Sequence, residues 1–263
     1  MKRVLRYFYL AGLCLLAVSV HGQNLSIYDA FNGNFINPDK WVALGMCSGN
    51  GYDCVREVRE GQLRLATRAY GGGYSDTGIG FSGSGLSFPS PDNISTLEIR
   101  FKVKNFKGTG CDANTDLGHS QQLLFGSFFN SGSGDPSDDV FAYFAVDGNV
   151  PDTSLFVHGF MFSQNQFFND VDLGTLEVGE PATATLRWDR ANKSFVVRVV
   201  KTRTIPLVVE QTMPYSQTDN LPPSQRFKHL QVGTFTPNCT TQRSFNAMES
   251  VIDSVRVNRS ALQ

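Results

Sequence analysis

The sequence predicts an all-β protein made of two packed antiparallel sheets. Apolar and polar residues alternate with period two in many segments. Those segments are short and bounded by Gly, Pro, Asn and Asp turns, and no run of about a dozen residues carries a helical period. Such spacing is the signature of sandwiches and barrels.

The chain opens on a different pattern. Lys2, Arg3 and Arg6 precede an apolar run from Tyr7 to Val20, and Val20-His21-Gly22 offers residues tolerated at a cleavage site before Gln23. This predicts a signal peptide over 1–22 and a secreted product, extracellular or periplasmic. The run is shorter than the roughly 20 residues of a membrane span. Cys14 follows Leu13 inside the run, against a lipoprotein signal. No later run has membrane length, so no membrane span is expected in the mature chain. Residues 24–263 are expected to form one β-sandwich domain, long enough to bury a core.

The strand over Thr96–Lys104 is the clearest. Leu97, Ile99, Phe101 and Val103 share one face, and Glu98, Arg100, Lys102 and Lys104 share the other. Leu63 and Leu65 alternate with Arg64 and Ala66. Ala182, Ala184, Leu186 and Trp188 alternate with polar neighbours. A turn over Asp189–Lys193 leads to Phe195, Val197 and Val199, so this pair reads as a hairpin. Leu230 and Val232 mark another strand, and Val255 and Val257 the last. Between these lie three more apolar runs, Leu123–Phe129, Val140–Val146 and Leu155–Phe162, separated by loops at Asn130–Asp138 and Asp147–Thr153. Short helical turns are expected only near Pro223–Lys228.

Charge narrows the partners. Removing residues 1–22 takes away three basic residues and no acidic one, leaving 20 basic against 24 acidic. No basic block stands out, so nucleic acid is not an expected partner. Cys47, Cys54, Cys111 and Cys239 remain. An even count in an exported chain suggests disulfides. Of three pairings the favoured one is Cys47–Cys54, a clip around a glycine-rich loop, with Cys111–Cys239 as a long staple. A zinc site lacks both a Cys-x-x-Cys pair and a nearby His at ligand spacing. Asn-x-Ser/Thr sequons stand at Asn24, Asn93, Asn192, Asn238 and Asn258.

Four stretches carry a family resemblance: Asp29-Ala-Phe31-Asn32 through Trp41, Gly61-Gln-Leu-Arg-Leu65, Leu186-Arg-Trp188-Asp189 through Phe195, and Ile252-Asp253-Ser-Val255-Arg-Val257. In these the chain resembles the concanavalin A-like lectin/glucanase superfamily, which includes laminin-G-like domains. The resemblance implies a two-sheet antiparallel jelly-roll β-sandwich. It says little about activity, because the superfamily holds lectins, glycosidases, lyases and adhesion domains.

The residues themselves weigh against catalysis. Glycosidases need two carboxyl groups facing each other, and hydrolases of this superfamily carry them on one strand as Glu-x-Asp-x-Glu or a close variant, a motif absent here. Asp170 and Asp172 come nearest, in a segment read as a solvated loop end. Glu98 and Arg100 read as a surface pair, and Glu57 and Glu60 as exposed charge. No Gly-x-Ser-x-Gly elbow accompanies the histidines. A calcium loop is the metal expectation: Asp112, Asn114 and Asp116 alternate oxygen ligands, although Leu117 and Leu123 exclude an EF-hand. Asp135, Asp138 and Asp139 form a weaker acidic cluster.

Sugar binding needs aromatic faces and planar polar groups. The middle block offers Phe141 and Tyr143 on one strand and Phe156, His158, Phe160 and Phe162 on the next. Gln121, Gln122, Gln164, Asn165 and Gln166 fall near strand ends. The Phe residues are assigned to the core, as are Trp41 and Trp188. Tyr143 and His158, with Gln121 and Gln164, are the predicted ligand-binding residues because each brings a polar tip. The expectation is a glycan- or polysaccharide-binding module without catalysis. A hydrolase or lyase with a non-standard site and a protein-binding adhesion domain stand as alternatives.

Overall fold

A computed structural model describes residues 24–44, 52–70, 79–90, 94–109, 121–130, 140–149, 154–163, 166–203, 205–217, 228–237 and 244–258. The strands are β1 (Leu25–Asp29), β2 (Val42–Leu44), β3 (Tyr52–Arg59), β4 (Gln62–Tyr70), β5 (Ile79–Ser87), β6 (Thr96–Thr109), β7 (Gln121–Asn130), β8 (Val140–Asn149), β9 (Leu155–Ser163), β10 (Gln166–Leu176), β11 (Pro181–Asp189), β12 (Ser194–Lys201), β13 (Leu207–Pro214), β14 (His229–Pro237) and β15 (Phe245–Asn258). They form two antiparallel sheets. The eight-stranded sheet runs β13-β12-β11-β6-β15-β4-β3, with β1 added beside the end of β15; the seven-stranded sheet runs β10-β9-β8-β7-β14-β5-β2. The fold is the expected jelly-roll sandwich, and among the described residues the only helical turn is the 3-10 turn Arg190–Asn192.

Alternation decides which face each sheet turns inward. From the eight-stranded sheet, Leu97, Ile99, Phe101, Ala184, Leu186, Phe195 and Val197 are buried; from the other, Phe144, Val146, Leu155, Val157, Leu230 and Val232 meet them. Phe101 packs edge-on against Phe144 with centroids 5.9 Å apart. Burying one such side chain stabilises the fold by about 1.5–3 kcal/mol. Gly159 lets the sheets approach: a Cβ there would lie 2.6 Å from Val197 Cγ2.

The resemblance motifs have physical reasons. Asp29 accepts hydrogen bonds from the Phe31 backbone N–H at 3.0 Å and from Trp41 Nε1 at 2.7 Å. Phe31 holds a left-handed φ of 51°, and Trp41 is 4% exposed beneath it. In the β11–β12 hairpin, Asp189 accepts from the Asn192 N–H, and Lys193 closes the turn at φ 46°. Trp188 is core, as expected, and donates through Nε1 to the Tyr215 hydroxyl at 2.8 Å. Asn258 Oδ1 accepts from the Ser95 and Thr96 N–H groups, tying the end of β15 to the start of β6.

Two segments differ from expectation. Residues 166–176 form β10, a full strand instead of a loop end, with register shifts at Phe167/Asn169 and Asp172/Thr175. Those bulges break the sequence alternation. β8 runs on to Asn149, so Asp147 lies in a strand and not in the loop that its Asp-Gly-Asn sequence suggests. The expected helical turn near Pro223 falls almost wholly outside the described residues, as does the signal peptide.

Candidate functional site

The outer faces of the two sheets differ sharply. On the eight-stranded sheet the outward residues are cross-strand ion pairs: Arg64 with Glu57 and Glu249, Arg100 with Asp253, Arg256 with Glu98, and Arg68 with Asp53. Glu98 and Arg100, expected to pair with each other, instead take Arg256 and Asp253 as partners, and Glu57 takes Arg64; each such pair contributes at most about 1 kcal/mol. A groove of about 230 Å³ on this face is lined by Arg59, Gln62, Arg64, Lys104 and Glu249; its Arg64 and Glu249 already satisfy each other.

The seven-stranded sheet presents rings instead. Register places Phe141 opposite Phe162, Tyr143 opposite Phe160, Ala145 opposite His158, and Asp147 opposite Phe156. Since Ala142, Phe144, Val146, Val157 and Met161 point into the core, these partners face outward. Tyr143 stacks on Phe160 at 4.8 Å and lies parallel to Phe141 at 6.4 Å. Phe156 is 42% exposed. The assignment of the Phe residues to the core is thus corrected: Phe144 is core, whereas Phe141, Phe160 and Phe162 are half-buried on the outer face and Phe156 is exposed. Composition could not tell the two faces apart, because both are aromatic.

His158 joins two carboxylates on this face. Its Nε2 lies 2.8 Å from Asp147 Oδ2, and its Nδ1 lies 3.0 Å from Asp170 Oδ1. Asp147 comes from β8 and Asp170 from β10, each diagonal to His158 across its own strand pair. The bulge at Phe168 sets Asp170 opposite Phe160, on the outer side. Burial alone would lower the His158 pKa. The hydrogen bonds and charges of Asp147 and Asp170 outweigh it and raise the imidazole to about 9. Near neutral pH it is an imidazolium that donates from both nitrogens. Burial pushes the Asp147 carboxyl up, and His158 pulls it back only partly. Asp147 Oδ1 is buried with no hydrogen-bond partner among the described residues, while Asp170 is 67% exposed. Beyond Tyr143, burial pushes the His229 imidazole down to about 3, so that ring stays neutral.

Of the predicted ligand residues, Tyr143 and His158 come together on one face. Burial pushes the Tyr143 hydroxyl pKa up, so it keeps its proton. Gln121 starts β7 and pairs with Asn149 of β8. Gln164 lies outside the described residues, and so do Asp112, Asn114, Asp116, Cys47, Cys111 and Cys239. Cys54 lies in β3, its Sγ 3.7 Å from Thr67 Oγ1. No group of three His, Cys, Asp or Glu among the described residues is arranged to hold a metal ion, and no described helix is long and apolar enough to cross a membrane. Sequence reasoning missed Asp147, whose partnership with His158 needs the β8–β9 register. It met Asp170 only as a loop carboxylate.

No protein-family model matches the chain, and no curated protein matches it in sequence. Among solved structures it is similar to lectin II from Ulex europaeus, at 14% identity over 84% of this chain and 97% of that one, with a TM-score of 0.36. It is also similar to a β-1,3-glucanase from Mycobacterium marinum, at 14% identity over 87% and 96% with a TM-score of 0.42. A glycosyl hydrolase family 16 protein from Mycobacterium smegmatis matches at 12% identity over 89% and 98%, with a TM-score of 0.46. The strand order makes the chain a two-sheet antiparallel jelly-roll β-sandwich.

Proposed function

We propose that the protein binds glycan chains on the outer face of the seven-stranded sheet and does not cleave them. The observation that carries this reading is the aromatic row of β9. Phe156 and Phe160 flank His158 on one side of the strand, and Asp147 and Asp170 lie to either side of it. Phe156 and Phe160 stand four residues apart, roughly 13 Å along an extended strand. That spacing suits an oligosaccharide stacked at two points, with Asp170 accepting hydrogen bonds from hydroxyls between them. The test is a titration with oligosaccharides of increasing length. The Phe156→Ala variant should lose at least tenfold in affinity, about 1.4 kcal/mol. Unchanged affinity would remove Phe156 from the site, and no binding of any glycan would remove the reading.

The carboxylates favour one rival reading, hydrolysis. A glycosidase keeps the gap between its two carboxyl groups open for the scissile bond and water. Here the imidazole of His158 fills that gap, which favours binding. Release of reducing ends from any polysaccharide, abolished by Asp147→Asn, would establish the rival.

Export through cleavage after Gly22, disulfides among Cys47, Cys54, Cys111 and Cys239, and a calcium ion at Asp112, Asn114 and Asp116 belong to the same proposal. They are supported by the sequence pattern. N-terminal sequencing of the exported protein tests the first, non-reducing peptide mapping the second, and glycan binding with and without chelator the third.

A further inference from the structure

Charge on the glycan face is one-sided. No Lys or Arg occurs between Lys107 and Arg187, while that interval holds nine Asp and two Glu. It supplies β7, β8, β9 and β10 entire, and the segments joining those strands contain no Lys, Arg or His. On the face itself, Asp172 lies directly opposite His158 and is exposed. Asp147, Asp170 and Asp172 outnumber the two cations that act on them, the His158 imidazolium and the buried Lys201 ammonium near Asp172, and leave an excess of negative charge. Lys201 is 3% exposed, donates to the Thr175 carbonyl at 2.9 Å and interacts electrostatically with Asp172 from beneath the end of β10. The other sheet shows what balanced charge looks like, with each outward carboxylate of its ion pairs facing an arginine.

Exposed carboxylates beside aromatic faces form a setting for a positively charged group. The carboxylate supplies Coulomb attraction and the ring quadrupole adds a cation–π contribution. The same field opposes uronates, sulfates and sialic acids. We infer that this face selects glycans bearing free amines, such as polymers of unacetylated amino sugars, over their neutral counterparts, and rejects anionic glycans. The inference rests on the glycan-binding reading and names the ligand class of that site.

The experiment titrates the full protein at pH 6 with three probes of equal length: a glucosamine oligosaccharide, its N-acetylated counterpart and an oligogalacturonate. The amine should bind about tenfold tighter than the N-acetylated probe, as expected for one additional close charge pair. That preference should shrink as salt rises, and the galacturonate should show no binding. Asp170→Asn combined with Asp172→Asn, both at exposed positions, should bring the amine and N-acetyl affinities to within about twofold. Equal affinities in the unmodified protein, or binding of the galacturonate, would overturn the inference and leave glycan binding standing. Failure of all three probes would overturn the inference, and the glycan-binding reading would fall with it only if no other glycan bound either.

Discussion

His158 donates through Nε2 to Asp147 Oδ2 across 2.8 Å, and the two side chains are only 22% and 13% exposed. This pairing is a stability device with a pH signature. The folded imidazole has its pKa raised to about 9 from 6.5, so the folded state binds the proton more tightly than the unfolded chain. Its contribution is complete below pH 6.5 and is lost as pH climbs through 9. Urea unfolding should therefore show stability falling by on the order of 1–3 kcal/mol from pH 6.5 to pH 9.5. His158→Gln should flatten that slope. An equal slope in the variant would assign the loss to other groups. Asp147 works in the same direction at lower pH: burial raises its carboxyl, so the folded state again binds the proton more tightly and its contribution is lost as pH rises.

The Asp29 carboxylate stabilises the start of the sandwich by satisfying two buried donors, the Phe31 N–H and Trp41 Nε1. Asp29→Ala leaves both without it. The expected cost is about 2–4 kcal/mol, read as a lower urea midpoint at unchanged slope. Asp29→Asn keeps one acceptor and should lose less.

Gly159 and Val197 face each other across the core, where a Cβ on Gly159 would lie 2.6 Å from Val197 Cγ2. Gly159→Ala should cost about 1–3 kcal/mol through overpacking. Val197→Ala opens space for that methyl, so the double variant should be more stable than the sum of the single changes predicts. Strict additivity in thermal unfolding would show that the sheets shift apart instead.

Two sequons now separate. Asn192 is exposed at the tip of the β11–β12 hairpin. Asn258 is 8% exposed, and its side chain already accepts from Ser95 and Thr96. Expressed in a host that glycosylates exported proteins, the chain should carry glycan at Asn192 and none at Asn258, as peptide mass mapping would read. Asn258→Ala should also destabilise by about 1–3 kcal/mol, since two backbone donors lose their acceptor.

Regular alternation made much of the fold legible. β6 and β11 have polar outward faces, so Leu97-to-Val103 and Ala182-to-Trp188 announce themselves. β5 escaped because Gly80, Gly83 and Gly85 occupy it, leaving few side chains to alternate. β10 escaped because two bulges move the period out of step. β13 escaped because it is an edge strand with exposed Leu207 and Val208, so its pattern records no inner face. At the site, Tyr143 and His158 were legible as aromatic residues with polar tips. Asp147 was not, since an Asp before Gly and Asn carries turn chemistry, and only pairing with β9 shows it in a strand. The Phe residues were misassigned because alternation separates two faces without saying which one is wet.

The position of β15 sets how the molecule must be made. Latest of the fifteen strands among the described residues, it lies between β6 and β4 and also holds β1. Until it is supplied, the two flanking blocks of the eight-stranded sheet have no seam to join them, and Leu63, Leu65, Phe101 and Val103 have no completed layer in which to bury. Folding therefore waits on contacts that span nearly the whole sequence, the slow regime for two-state chains. A growing polypeptide of this design stays open along its length and closes only when its last strand arrives.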